Sequence, residues 1–251
     1  KKTRETAFLL GARIKLKLLR SLSMRQQTKK ECRMTTLFFF FLSMTKRVKN
    51  KFFISLGVFI LLLVLDQWSK FYVKTHFVLG ESVEVFNWFY IRFIENNGMA
   101  FGIELFDKFF LTLLRIVAVC AILYYLVKII KNDMKLGYIV GVTLLLAGAL
   151  GNIIDCVFYG VWFDSSYGQV AEFLPSQGGY ASYFYGKVVD MLYFPLIDTV
   201  LPSWFPIWGG ERFTFFDPVF NVADSAICVS VAYMIIFEYK TLNEEFSSKL
   251  D

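Results

Sequence analysis

Four apolar stretches limit what this chain can fold into: Phe52–Leu65, Phe109–Val127, Leu136–Ile154 and Val219–Phe237. The last three approach the ~20 residues a helix needs to cross the hydrocarbon of a bilayer. The first is shorter, but Trp68, Phe71 and Tyr72 can extend it into the interface, where aromatic rings are favoured. Hydrophobic residues make up 56% of the chain, a bias that soluble domains rarely carry. The expected fold is an all-α membrane protein with four transmembrane helices.

Charge orients those spans. Residues 1–51 hold 15 Lys/Arg against 2 Glu, a surplus of 13, so the remainder carries −7 of the net +6. Lys46, Arg47, Lys49 and Lys51 precede the first span, and Lys128, Lys131 and Lys135 fill the link between spans two and three. Both segments are therefore expected on the cytoplasmic side. The N- and C-termini then face the cytoplasm, and the long loops, about 70–108 and 156–218, fall outside. The surplus lies in a leader and a membrane flank rather than on a folded basic face, which argues against a nucleic-acid partner.

Residues 1–43 differ from the rest: basic, poor in acids, and ending in a run from Leu37 to Leu42 that is too short to span. A transit peptide or a membrane-surface helix has similar composition. The plainer expectation is translated sequence upstream of a start at Met44, which leaves 44–251 as the functional four-span domain. Cys32, Cys120, Cys156 and Cys228 form no C-x-x-C pattern, and His76 is the only histidine. A zinc site or a His-based triad has little to work with, so no metal and no cofactor is expected.

Under this topology the unusual polar groups gather at the outer face. Asp66, Gln67 and Lys70 close the first span. Asn96-Asn97-Gly98 lies in the first outer loop, Asn152 and Asp155 close the third span after Gly148 and Gly151, and Asn221 and Asp224 open the fourth. Each has a purely structural reading. Asp66 and Lys70, at i, i+4, can be a helix-end ion pair; Asn-Asn-Gly is a common turn; Gly148 and Gly151 suit close helix packing. Asn152 and Asp155 can satisfy loose backbone groups at a helix end, and Arg115 can snorkel outward or pair with a carboxylate, with no catalytic part expected for it. Asp224 has the weakest such reading, being an acid in an apolar helix start with no cation nearby in sequence. Val83–Ile94 and Arg212–Phe216 have strand-like composition, so a small extracytoplasmic β-rich platform is expected, able to hold an extended peptide by strand addition.

Five blocks together resemble the lipoprotein signal peptidase (type II signal peptidase) family. They are Asp66-Gln67-Trp68-Ser69-Lys70; Asn96-Asn97-Gly98-Met99-Ala100-Phe101-Gly102; Gly148-Ala149-Leu150-Gly151-Asn152-Ile153-Ile154-Asp155; Val188-Val189-Asp190; and Phe220-Asn221-Val222-Ala223-Asp224-Ser225-Ala226-Ile227. The resemblance runs from about Met44 to about residue 240. It implies an intramembrane aspartyl endopeptidase of the bacterial inner membrane, with its site at the extracytoplasmic face. Such an enzyme cuts prolipoproteins just before a diacylglyceryl-modified cysteine. The implied catalytic pair is Asp190 and Asp224; Asp66, Lys70, Asn96, Gly148, Asn152, Asn221 and Ala223 match positions that orient the pair or bind substrate. The implied partners are a lipid-modified prolipoprotein and membrane lipid, with the enzyme acting as a monomer.

The chain departs from the family pattern in two places. Where the family carries Arg after Asn-x-x-Asp, this chain has Cys156, so another cation, Lys187 or Arg212, is expected to substitute. An insertion also gives two choices for the first aspartate: family spacing falls on Asp164, whereas the local sequence Val-Val-Asp-Met favours Asp190, the residue expected here. Other classes fit less well. Ser69 and Lys70 are adjacent on a helix and point about 100° apart, wrong for a Ser/Lys peptidase. A membrane proton or ion carrier is the main alternative, but it needs polar groups through the membrane, and the inner halves of these spans read as apolar.

Overall fold

The computed structural model describes residues 45–97 and 108–247, with side chains to 245. The leader and the block from Gly98 to Gly102 lie outside the described residues. The chain divides into two units between residues 50 and 51, and of the first only residues 45–50 are described. In the first, Thr45 opens helix α1 (Lys46–His76): its hydroxyl accepts from the Val48 amide at 3.4 Å and its carbonyl from the Lys49 amide at 3.1 Å. Such contacts satisfy amides that a helix start leaves without intrahelical partners.

In the second unit, α1 continues through the extension expected at Trp68, Phe71 and Tyr72 to His76, with Asp66, Lys70 and Lys74 buried. Two further helices are long and apolar enough to cross a membrane, α2 (Lys108–Lys131) and α3 (Leu136–Ile154). α3 does not stop at Ile154. A π turn, Asp155–Tyr159, carries it into Gly160–Trp162, so the apolar helix runs 27 residues. The fourth expected span starts late: Val219–Phe220 form strand β6, and helix α4 covers Val222–Phe237, 16 residues. Helix α5 (Tyr239–Ser247) follows at an 87° bend. The described residues thus hold three full-length apolar helices, or four if α4 and α5 form one broken span.

Small and hydroxylic residues bring the helices together. A Cβ at Gly148 would run into the Ala223 carbonyl oxygen and meet Ile227 Cγ1 at 2.7 Å, so the missing side chain allows α3 to approach α4. Ser55 and Thr143 share a buried hydrogen bond of 2.7 Å between α1 and α3, and the Ser230 hydroxyl donates to the Gly141 carbonyl at 2.7 Å between α4 and α3. At one end Lys51 reaches the α2–α3 link, donating to Asp133 Oδ1 and the Met134 carbonyl, each at 2.6 Å.

At the other end stands a four-stranded antiparallel sheet, β1 (Ser82–Phe86), β2 (Phe89–Asn96), β3 (Val188–Tyr193) and β6, in the order β1-β2-β3-β6. The expected single strand Val83–Ile94 is a hairpin broken at Asn87–Trp88, and the small β-rich platform expected beside the helices is a sheet that carries part of the site. Arg212–Phe215 is strand β5, paired with β4 (Ile197–Val200) in a separate ribbon. The segment after Asp190 reaches the start of α4 by strand pairing: Leu192 lies opposite Phe220 and Tyr193 opposite Val219. Below the sheet, Phe93, Val189 and Met191 pack with Val73, Tyr159, Phe163 and Ala171 in an apolar core.

Candidate active site

The alternation of strand side chains sorts the site. On β2 and β3, Asn96 lies opposite Val188 and Ile94 opposite Asp190, so these four share a face. Phe93, Val189 and Met191 take the opposite face and fill the apolar core. Asp190 is thereby held against the helices, 3% exposed.

Asn221 ties the strand to the helix. Its side-chain oxygen accepts from the Asp224 amide at 2.9 Å, and Asp224 Oδ2 accepts from the Asn221 amide at 3.3 Å. This reciprocal cap explains an Asn three residues before an acid at the start of an apolar helix. The Asn221 Nδ2 atom is shared among Asp190 Oδ1 (2.7 Å), Asn152 Oδ1 (3.1 Å) and the Val189 carbonyl (3.3 Å). Asn152 Nδ2 in turn donates to Asp224 Oδ1 at 2.7 Å. Two neutral amides therefore bridge the two carboxylates, and Asn96 Nδ2 adds a donor to Asp190 Oδ2 at 3.2 Å.

Behind this pair lies a buried charged layer. The Lys70 ammonium contacts Asp66 Oδ2 at 2.9 Å, Asp155 Oδ2 at 2.8 Å and Asn152 Oδ1 at 2.8 Å. Asp66 Oδ1 accepts from the Ala223 amide at 2.9 Å, tying α1 to the first turn of α4. Asp155 accepts from Gln67 Nε2 at 3.0 Å and from the Val189 amide at 3.3 Å. Asn152 and Asp155 do more than close a helix end: they join α1, α3, α4 and β3. Among the described residues, no buried side-chain nitrogen or oxygen lacks a hydrogen-bond partner. A layer satisfied this fully holds its members in one arrangement.

Asp190 and Asp224 line one cavity of about 400 Å³ with Asn96, Arg115 and Asn152, and the remaining wall is apolar: Ala118, Ala149, Ile153, Val188 and Ile227. Burial first, and then the Asp224 charge, push the Asp190 carboxyl up to about 7, against the opposing pull of Asn96, Asn221 and Lys70. A carboxyl that holds its proton near neutrality, beside a second carboxylate in a largely apolar cavity, equips the site with an acid and a base.

Asp164 is elsewhere. It lines a larger cavity of about 940 Å³ under the insertion and accepts from the Glu172 amide at 2.7 Å and from Gln169 Nε2 at 3.1 Å. Lys187 and Arg212 do not take the place of the expected arginine. Lys187 pairs with Glu95 Oε2 at 3.0 Å, and Arg212 pairs with Asp198 on the β4–β5 ribbon. The cation at the cavity is Arg115, whose Nη1 lies 3.3 Å from Cys156 Sγ. The signal for it was an arginine inside an apolar helix, which is costly unless it is used. Gln67 also joins the buried layer. Next to Asp66, it touches Asp66, Asp155 and the Gly151 carbonyl.

The sequence profile of the signal peptidase (SPase) II family matches residues 58–240. This chain belongs to the signal peptidase II family. Among its relatives, the lipoprotein signal peptidase of Porphyromonas gingivalis is 51% identical over 188 residues, spanning 74% of this chain and 83% of the relative. That of Amoebophilus asiaticus is 37% identical over 201 residues, spanning 77% and 79%. A bacterial membrane enzyme structure obtained by the in meso method at 2.3 Å resolution superposes with a TM-score of 0.51 at 26% identity, covering 76% of this chain and 90% of that one. The matched region takes in α1 from Val58, the sheet, α2, α3 and α4, so every residue of the cavity described above falls inside the signal peptidase II profile. The chain is a multi-pass membrane protease by family and by its apolar helices.

Proposed function

We propose that this signal peptidase II family member is an aspartyl endopeptidase, that Asp190 and Asp224 are its catalytic pair, and that it cleaves diacylglyceryl-modified prolipoproteins before the lipidated cysteine. The observation that carries this reading is the pair itself: two carboxylates on one cavity, joined through Asn152 and Asn221, with Asp190 pushed up to about 7.

In the proposed reaction a water sits between the two carboxyl groups. Asp224 takes its proton as the oxygen attacks the scissile carbonyl, and protonated Asp190 donates to the carbonyl oxygen as the tetrahedral intermediate forms. The intermediate collapses as Asp224 passes its proton to the amide nitrogen, the C–N bond breaks and Asp190 takes back a proton from a hydroxyl of the intermediate, which returns the pair to its starting state without a covalent intermediate. Asn96, Asn152 and Asn221 orient the carboxylates without adding charge. Asp66 and Lys70 hold the helices that carry them, and Gly148 and Ala223 provide the close α3–α4 contact. The apolar wall from Ala118, Ala149, Ile153 and Ile227 suits a lipidated substrate better than a soluble peptide. The family match gives no support to an ion carrier.

The same reading sets the enzyme in the bacterial inner membrane, a monomer with both termini cytoplasmic and the site at the extracytoplasmic face. Its support is Lys51 and the basic α2–α3 link, which lie together at the end of the bundle away from the sheet. The test is cleavage of a lipidated prolipoprotein in detergent. D190N and D224N are each expected to lose at least ~100-fold in rate, the scale of a removed acid or base, and D164N to cleave normally. A D190N or D224N enzyme that still cuts would overturn the pair.

A further inference from the structure

The β4–β5 ribbon is built unlike the main sheet. Ile197 lies opposite Phe215, Asp198 opposite Thr214, Thr199 opposite Phe213 and Val200 opposite Arg212. Paired residues share a face and neighbours along a strand alternate. One face is therefore Ile197, Phe213 and Phe215 with Thr199, and the other holds Asp198, Arg212 and Thr214 with Val200. The polar face closes on itself: Arg212 Nε donates to Asp198 Oδ1 at 2.8 Å, and Arg212 Nη2 reaches Asp198 Oδ2. Ile197, Phe213 and Phe215 are all exposed. The connecting residues 201–210 (LPSWFPIWGG) carry no charge, and at their tip Trp204 is 78% and Ile207 88% exposed. A lone two-stranded ribbon is marginally stable at best in water, and an uncovered apolar patch of this kind marks a contact surface.

The root of the ribbon identifies what covers it. Just beyond β5, Phe216 packs edge-on against Phe220 at 6.0 Å, and the Tyr193 hydroxyl donates to Asp217 at 3.1 Å. Phe220 directly precedes Asn221, the cap of α4, whose Val229, Ile235 and Ile236 face outward from the bundle. The exposed apolar face is thus attached where an apolar membrane helix begins. Trp204 and Trp208 are also of the residue type enriched at the headgroup level of a bilayer.

We propose that the β4–β5 ribbon is a lipid-surface anchor. It lies in the headgroup region beside α4, with Ile197, Phe213, Phe215 and the Trp204–Trp208 tip toward the acyl chains and the Asp198–Arg212 pair toward water. It fixes the height of the α4 N-terminus relative to the headgroups. The proposal goes beyond the peptidase reading and holds whichever carboxylates carry out the cleavage.

The test compares the full chain with W204F/W208F, both reconstituted in phosphatidylethanolamine–phosphatidylglycerol vesicles. Phe keeps the aromatic bulk, and unchanged cleavage of a detergent-presented substrate checks that the fold is retained. The difference in emission isolates the tip tryptophans. With acyl chains brominated near the carbonyl, that difference is expected to be strongly quenched, while acrylamide in the water quenches it little. Full acrylamide access without bromine quenching would overturn the proposal. So would protection that appears only when a prolipoprotein or a membrane-protein extract is added, which would make the face a protein-docking surface.

Discussion

Arg115, which lines the cavity, lies 3.3 Å from Cys156, buried behind it in the π turn that continues α3. If the arginine binds a substrate carbonyl there, its loss removes a charge-assisted hydrogen bond, and R115Q is expected to lower kcat/KM by roughly 10- to 100-fold, the ~1.5–3 kcal/mol such a bond contributes. Adding C156R to R115Q returns a cation from the facing helix and is expected to restore part of that loss; an R115Q enzyme with the parent kcat/KM would show that the arginine makes no such contact. Asp190 gives a pH signature. Its folded value of about 7 stands above the ordinary 3.8, so between those values the folded protein binds more protons there than the unfolded chain. The contribution of Asp190 to stability therefore declines as pH rises through that window and is fully unfavourable above about 7. D190N is expected to melt above the parent at pH 8 in detergent, with the gap closing toward pH 4. Parent activity is expected to fall above about pH 7 as the proton leaves. Superimposable melting curves at pH 8 would contradict the assignment.

At the scale of elements, two glycines in apolar helices make opposite predictions. A Cβ at Gly148 meets backbone at Ala223, which cannot swing aside, so G148A is expected to destabilise by about 1–3 kcal/mol and to reduce cleavage by moving Asn152 and Ala223. At Gly57 nothing lies within 4 Å, and G57A is expected to be neutral or to stabilise by up to about 1 kcal/mol, the helix propensity difference. Thermal melts of both in one detergent check the pair. The sheet has its own anchor. Glu95 is held below its ordinary value because Lys74 and Lys187 together outweigh the burial that opposes its ionisation. E95Q leaves Lys74 buried without its counter-charge and is expected to cost about 3–5 kcal/mol, whereas K74M/E95Q is expected to recover part of it. Because Asn96 is the next residue, activity should fall with stability in E95Q and return in the double variant.

For the whole molecule, the proposed topology puts both chain ends on one side. A reporter active only in the cytoplasm is expected to work at the C-terminus and to fail when inserted after Ser203, at the exposed ribbon tip; the opposite pattern would invert the topology. Much of this arrangement could be read along the chain. Apolar length locates the helices, because transfer into hydrocarbon is a sum over neighbouring residues. The blocks around Asp66, Asn96, Asn152, Asp190 and Asn221 named the polar residues that do gather at one end. What only the folded chain decided is who meets whom. The late start of α4, the hairpin in Val83–Ile94, the pairing of β3 with β6, the meeting of Asp190 and Asp224 on one cavity and the approach of Arg115 to Cys156 all depend on strand register and helix rotation. These are set by contacts between residues far apart in sequence. Local composition can therefore say that a residue is costly where it stands, but not which distant partner offsets that cost.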